Sequence, residues 1–182
     1  AHGTKHAAPF IEDGVAELAD AGVSSIVGLV LAPHWSAFSV GAYHDRATTA
    51  AADADLPYVG IESWHLLPEL VTFHATALRE VLDAARTDRP GTHKVLFSAH
   101  SLPERVLVDD PYPDQLRATA AAVAARCALR AWSDWATCWQ SAGRTPEPWR
   151  GPDIGTVIAD LAGTGRAEGV VVAAIGFVAD HL

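Results

Sequence analysis

The sequence predicts an α/β fold, in which a doubly wound parallel sheet carries helices on both faces. Apolar runs of strand length alternate along the chain with segments whose apolar residues recur at helical spacing. The strand-like runs are continuously apolar, as in GVVVAAI over 169–175. Such runs are typical of parallel strands that are buried on both faces. The chain has 182 residues, of which 49% are hydrophobic, and it can therefore bury a substantial core.

Two helices and two strands are predicted in the first third of the chain. Pro9 can open a helix whose apolar residues repeat at helical spacing until Gly22 ends it. The segment SIVGLVL over 25–31 predicts a buried strand. The alanine-rich segment Gly41–Asp53 predicts a second helix, and Tyr58–Glu62 predicts a short second strand.

Three further helices and three further strands are predicted in the rest of the chain. Apolar residues at helical spacing indicate amphipathic helices, and Asp153 can cap the last of them. In chain order the elements are the helix Leu67–Leu82, the strand Lys94–Ser98, the helix Pro113–Ala131, the strand Trp135–Trp139, the helix Ile154–Leu161 and the strand Gly169–Ile175.

The composition excludes several classes of protein. The formal net charge of −9 is spread along the chain, which argues against nucleic acid or an anionic membrane surface as a partner. No apolar run approaches the roughly 18–20 residues that a transmembrane helix needs. The two cysteines, Cys127 and Cys138, lack CxxC spacing and are too few for a disulfide framework. We therefore predict a soluble, cytoplasmic protein.

The two ends of the sequence indicate a fragment. The chain contains no methionine and begins at Ala1, whereas a complete translated chain normally begins with methionine. Its last residues complete a strand and the start of a loop. We expect one domain, or one domain and part of a second.

A candidate ligand site follows from the predicted sheet. Ligands of open α/β sheets bind outside the carboxyl ends of the strands. His100 and Ser101 follow the third predicted strand, at the end of an apolar run. The residues that follow the other strands are His34, Trp35, Ser36 and Tyr43, then Ser63, Trp64 and His65, then Gln140 and Ser141, and finally Gly176, Phe177, Asp180 and His181. If the strands are parallel, one crevice collects these side chains.

Sequence motifs narrow the chemistry of this crevice. The patterns GxGxxG, GxxxxGK[ST], GxSxG and HExxH are all absent, so dinucleotide, P-loop, hydrolase and zincin sites have no support. Aromatic walls suit a flat apolar ligand, and imidazole suits Fe(II), Co(II) or Zn(II). The alternatives are that the tryptophans belong to the core and that His34, His65 and His74 are surface or capping groups. For His100 the alternative is that it has neither function, because most single histidines neither bind metal nor transfer protons.

Long segments of the chain resemble the ferrochelatase family. They are VLFSAHSLPERV (95–106), DPYPDQL (110–116), WQSAGRTPEPWRGPDI (139–154) and IGFVADHL (175–182). Two more, KHAAPFIED (5–13) and LVLAPHWSAFSVGAYHDRA (29–47), resemble its soluble bacterial branch, which is associated with iron insertion into coproporphyrin III. The resemblance implies a chelatase-like fold with Rossmann-type layering. It also implies that residues 1–182 form the central chelatase region of a longer lyase-class enzyme.

The resemblance also implies an activity and a set of site residues. Fe(II) would enter a porphyrin, coproporphyrin III or protoporphyrin IX, in haem biosynthesis, and two pyrrole protons would leave. His100 matches the family's metal-binding and proton-accepting histidine, and Tyr43 matches a tyrosine that contacts the porphyrin. Lys5 and His6 match a pair that lines the cleft. Fe(II) is then a substrate, and no organic cofactor is expected.

We expect the chain to lack the family's N-terminal portion and its C-terminal helices, and it departs from the family pattern at two further places. The family motif continues as DHLE, but the chain ends at Leu182, so the expected metal-site glutamate is outside it. Trp35 stands where tyrosine or phenylalanine is more usual. The cysteines that hold a [2Fe–2S] cluster in some relatives would also be outside the chain. Two alternatives remain: a related chelatase for cobalt or nickel and a sirohydrochlorin-type ring, and a porphyrin- or metal-binding fragment without catalysis.

Overall fold

Helices and strands alternate along the chain in a computed structural model, which describes residues 1–131 and 133–178. The elements are α1 Ile11–Asp20, β1 Ile26–Leu29, α2 Ala42–Asp53, β2 Tyr58–Ile61, α3 Pro68–Asp88, β3 His93–His100, α4 Tyr112–Arg126, β4 Trp135–Gln140, α5 Ile154–Thr164 and β5 Gly169–Ala173. Every predicted helix and strand is present, and the predicted α/β class is confirmed. No helix in the described part of the chain is long and apolar enough to cross a membrane.

The strands form two parallel sheets instead of the single sheet that the sequence predicts. The chain divides into two compact units, Ala1–Trp64 and His65–Leu182. The first unit holds β1 and β2, and the second holds a sheet with the order β4-β3-β5. All three strand pairings are parallel. An apolar run predicts that a strand is buried, but it carries no information on which strand becomes its neighbour.

One face of the first sheet is packed closely because two of its residues are glycines. A Cβ atom at Gly28 would lie 1.9 Å from the hydroxyl oxygen of Tyr58, and one at Gly60 would lie 2.7 Å from Nδ1 of His44. Ile26, on the same face as Gly28, is buried. The glycines therefore admit two ring side chains close to the backbone of the strands. The large apolar side chains on the other face are exposed, and they are Val27, Leu29, Val59 and Ile61.

The core of the second unit lies between its central strand and two helices. Val95, Phe97 and Ala99 of β3 are fully buried in this core. Because side chains alternate along a strand, Leu96, Ser98 and His100 belong to the opposite face. The helical residues of the core are Val71, Ala75, Leu78 and Leu82 of α3, and Tyr112, Leu116, Ala120, Val123 and Ala124 of α4.

The third strand extends two residues beyond its predicted end. The sequence predicts that it stops at Ser98, but the hydrogen-bonded ladder with β4 continues to His100, which lies opposite Gln140. Backbone groups form the ladder, so a polar side chain does not end it. His100 is therefore the last residue of a central strand.

Histidine burial in α3 predicts a loss of stability in acid. Burial lowers the pKa of His74, whose Nε2 atom is buried without a hydrogen-bond partner. A histidine with a lowered folded-state pKa favours the fold above its unfolded pKa of about 6.5, and this contribution disappears as the pH falls through the folded pKa. We expect the free energy of unfolding in urea to fall between pH 7 and pH 5, and to fall less in His74→Gln. The exposed His2 provides a control, since His2→Gln should leave the decline unchanged. An equal decline in wild type and His74→Gln would contradict this interpretation.

Candidate active site

His100 lies at the carboxyl end of the central strand of the second unit. Its register partner is Gln140, the last residue of β4, and the backbone N–H of Ser101 donates to the Gln140 carbonyl at 2.8 Å. The Ser98 hydroxyl donates to the Gln140 side-chain oxygen at 3.1 Å. The hydrogen bonds of Ser98 and Ser101, one on each side of His100, thus join the ends of β3 and β4. They hold the backbone of His100 in place.

Tyr112 supports the end of β3 through a hydrogen bond to its backbone. Its hydroxyl donates to the backbone carbonyl of His100 at 3.2 Å. Burial raises the pKa of Tyr112 far above its ordinary value, so the hydroxyl keeps the proton that it donates. Its ring packs against that of Trp139 on β4, with 5.7 Å between the ring centroids. Sequence reasoning assigned no role to Tyr112, although it lies inside the motif DPYPDQL.

Two distant segments meet directly after His100. The backbone N–H of Arg150 donates to the Leu102 carbonyl at 2.9 Å, and the Ser101 hydroxyl donates to the Arg150 carbonyl at 2.8 Å. The guanidinium of Arg150 lies 6.0 Å from the ring centroid of Trp139 and 3.5 Å from the carboxylate of Glu104. The segments around SLPE and PEPW, which are far apart in sequence, therefore form one structure beside the candidate histidine.

The loop after β5 begins against the same strand end. The backbone N–H of Gly176 donates to the Ser98 carbonyl at 3.1 Å. A Cβ atom at Gly176 would lie 2.4 Å from the Cβ of Ala99, so only glycine allows this approach. Asp180 and His181, which the sequence also assigns to this loop, lie outside the described residues.

The first unit brings together two of the predicted porphyrin-binding residues. The Nζ atom of Lys5 lies 5.3 Å from the centroid of the Tyr43 ring, within the range of a cation–π interaction. Lys5 belongs to a short loop that closes where the backbone N–H of Thr4 donates to the Pro9 carbonyl at 2.8 Å. His6 is exposed in the same loop. Lys5, His6 and Tyr43 thus belong to the first unit, and His100 belongs to the second.

The turn after β1 is held by rings that sequence reasoning did not connect. Trp35 stacks on His44, with ring centroids 6.2 Å apart and planes 13° apart. The Ile61 carbonyl can only accept, so Nε2 of His44 donates to it at 3.1 Å. The other ring nitrogen, Nδ1, forms a hydrogen bond of 2.6 Å with the Tyr58 hydroxyl. His34 is buried in this turn, so of the two alternatives given for it, a surface group or a capping group, the first does not hold.

Potential metal ligands do not form clusters in the described part of the chain. Among residues 1–131 and 133–178, no three His, Cys, Asp or Glu side chains form a group that could hold a metal ion. Cys127 and Cys138 are free thiols, and burial raises the pKa of Cys138 to about 11. Cys138 is therefore protonated at neutral pH and is poorly suited to bind metal. Of the candidate metal ligands, His100 keeps the position at a strand end that ligand sites in α/β proteins use.

The fold and the candidate site define a class: an α/β protein with parallel sheets and a histidine at the carboxyl end of its central strand. The family model named Ferrochelatase matches residues 1–182. The chain belongs to the ferrochelatase family.

Several curated bacterial relatives are similar to the chain along nearly its whole length. It is 41% identical to the coproporphyrin III ferrochelatase of Bacillus subtilis and 42% identical to that of Geobacillus kaustophilus. It is 39% identical to coproporphyrin III ferrochelatase 2 of Bacillus cereus. Each match covers 99% of this chain, but only 58%, 57% and 56% of the three relatives. The chain therefore spans little more than half the length of these proteins.

Proposed function

We propose that the protein carrying this chain inserts ferrous iron into a porphyrin as a step of haem biosynthesis. The observation that supports this most strongly is the match of the ferrochelatase model to the entire chain. The relatives are named coproporphyrin III ferrochelatases, so we propose coproporphyrin III as the porphyrin and protoporphyrin IX as the alternative. The predictions of a cytoplasmic location and of no organic cofactor remain predictions.

In this proposal His100 binds the incoming metal and accepts a pyrrole proton. Fe(II) replaces two N–H protons of the macrocycle, so the site needs a nitrogen ligand for iron and a base for the protons. An imidazole provides both near neutral pH. The position of His100 at a strand end supports this role, because the ladder with Gln140 and the hydrogen bond from Tyr112 fix its backbone. A fixed backbone reduces the freedom that the ring would lose on binding metal.

Lys5, His6 and Tyr43 are proposed to bind the porphyrin. The Lys5 ammonium carries the charge that a propionate side chain requires, and the Tyr43 ring can pack on the face of a flat macrocycle. Their contact in the first unit supports a common role. His6, in the same loop as Lys5, is proposed to line the cleft.

An insertion assay tests the proposed activity. A protein that carries this chain at the length of its relatives is mixed without oxygen with coproporphyrin III and Fe(II), and porphyrin fluorescence is followed. We expect fluorescence to fall as iron enters the ring. Parallel reactions with Co(II) and Ni(II) and a sirohydrochlorin-type ring test for the related chelatase. Failure of insertion with every metal and ring would contradict the activity.

Porphyrin binding without turnover is the second candidate, and it applies to the 182-residue chain taken alone. The contact between Lys5 and Tyr43, which are proposed to bind the porphyrin, lies within this chain, so binding can be tested on it directly. Binding of coproporphyrin III without iron insertion would support this candidate. The same measurement on the longer protein would show whether the two lengths differ.

The Tyr43 ring is expected to contribute directly to porphyrin affinity. Tyr43→Ala removes a ring that contributes roughly 0.5–1.5 kcal/mol in aromatic pairs, so the Kd for coproporphyrin III should rise about two- to twelvefold. Tyr43→Phe is the matched control, because it keeps the ring and should keep the affinity. Fluorescence titration measures both values. Equal affinity in Tyr43→Ala and wild type would rule out contact between this ring and the porphyrin.

A further inference from the structure

Arg46 connects three parts of the first unit at the candidate porphyrin-binding residues. Its Nε and Nη2 atoms donate to the two carboxylate oxygens of Glu12 on α1, at 2.8 Å and 2.6 Å. Its Nη1 atom donates to the backbone carbonyl of Lys5 at 2.9 Å. Arg46 follows Tyr43 by three positions on α2, so the two residues are neighbours on the helix surface. One guanidinium therefore joins α1, α2 and the loop of Lys5.

We propose that Arg46 is a positioning residue for porphyrin binding, which holds the Lys5 backbone so that the Lys5 ammonium stays beside the Tyr43 ring. The proposal rests on the proposed function of Lys5 and Tyr43. It assigns Arg46 a role through Lys5 and no contact with the porphyrin, since three of its five N–H groups already donate to protein oxygens and hold the guanidinium in place.

The planar geometry of the guanidinium is what suits Arg46 to this position. Two parallel N–H groups match the carboxylate of Glu12, and the third direction reaches a carbonyl outside the ion pair. A lysine ammonium is a point charge and cannot make both contacts in a fixed geometry. The hydrogen bond from Arg46 lowers the pKa of Glu12, so the carboxylate stays ionised at neutral pH.

The solvent exposure of the Arg46–Glu12 ion pair distinguishes a positioning role from a contribution to the stability of the fold. The side chains of Arg46 and Glu12 are 34% and 47% exposed. Exposed ion pairs contribute little to the free energy of unfolding, because water and salt screen them. Loss of Arg46 should therefore leave the melting temperature almost unchanged, whereas the orientation of Lys5 should change.

Affinity for coproporphyrin III tests the proposal in the longer protein that carries this chain. We expect both Arg46→Gln and Arg46→Lys to raise the Kd about fivefold, since neither side chain can hold Glu12 and the Lys5 carbonyl together. Arg117→Gln is the control, because Arg117 also forms an ion pair on the protein surface, with Asp114 at 3.0 Å on α4, and that pair is more exposed than the pair of Arg46 with Glu12. It should leave the Kd unchanged. Wild-type affinity in Arg46→Gln, or in Arg46→Lys, would overturn the proposal.

The double variant Lys5→Ala, Arg46→Gln distinguishes positioning from direct binding. If Arg46 acts through Lys5, the double variant should bind no more weakly than Lys5→Ala alone. Additive losses would show that Arg46 acts on the porphyrin itself, and they would overturn the proposal. A wild-type protein that does not bind coproporphyrin III would overturn both the proposed function and this inference. Normal wild-type binding with unaffected Arg46 variants would overturn the inference alone.

Discussion

Replacement of His100 by alanine is expected to lower the rate of iron insertion by at least about a hundredfold, the lower limit for losing a general acid–base group that acts in the reaction. The variant would lose the proposed nitrogen ligand and the proposed proton acceptor together. Porphyrin binding should be retained, because the proposed binding residues Lys5 and Tyr43 belong to the first unit. Single-turnover insertion of Fe(II) into coproporphyrin III, with a separate porphyrin titration, measures the two effects independently.

The same strand offers a control for His100. His93 is the first residue of β3 and His100 is the last, so His93→Gln changes a histidine of the same strand at its opposite end. We expect His93→Gln to keep the insertion rate. An unchanged rate in His100→Ala would remove His100 from the proposed mechanism. Loss of porphyrin binding in that variant would instead assign it a binding role.

Gly176→Ala is expected to be the second most damaging change. Its new Cβ atom would meet the Cβ of Ala99 at 2.4 Å and the Cα of Ala99 at 2.8 Å, distances that require the backbone to move. Forcing extra atoms into a packed site costs typically 1–3 kcal/mol. The movement would occur where the Gly176 N–H binds the Ser98 carbonyl, two residues before His100. A displacement of about 1 Å there could lower the insertion rate by up to about a hundredfold.

Gly163→Ala is expected to have the opposite effect on stability and is the control for Gly176→Ala. Apart from its chain neighbours and the backbone of α5 itself, a Cβ atom at Gly163 would meet no atom of the described residues within 4 Å. Gly163→Ala should therefore stabilise the fold by roughly 0.5–1 kcal/mol, because alanine favours a helix more than glycine does. Urea unfolding and insertion kinetics measured on both variants separate steric displacement from the mere addition of a methyl group. Wild-type stability and rate in Gly176→Ala would show that the loop after β5 tolerates the methyl group.

Local patterns were sufficient for most of the secondary structure. The apolar run over 169–175 predicted β5, and Asp153 was predicted to cap the last helix. Its carboxylate accepts from the Thr156 N–H at 3.1 Å, which confirms the cap. Both features depend on residues that are adjacent or nearly adjacent in sequence. The end of β3 was misplaced because it depends on the pairing of His100 with Gln140 on another strand.

The candidate site was predicted less completely. His100, Tyr43, Lys5 and His6 came from the resemblance to ferrochelatases, and the contact between Lys5 and Tyr43 is consistent with a shared role. Their functions remain predictions, as does the single crevice that was expected to collect all the strand ends. Tyr112, Arg150 and Arg46 were missed. No sequence motif indicates their roles, which consist of hydrogen bonds to backbone carbonyls 12 to 48 residues away.

The sequence alone determined the alternation of helices and strands and the resemblance to the ferrochelatase family. It could do so because hydrophobic periodicity and motif spacing are properties of neighbouring residues. Only the tertiary structure decided that the strands divide into two sheets, that SLPE and PEPW meet beside His100, and that one arginine joins Glu12 to Lys5. These features depend on hydrogen bonds and close packing between distant residues, and many partners with the same local pattern could satisfy them.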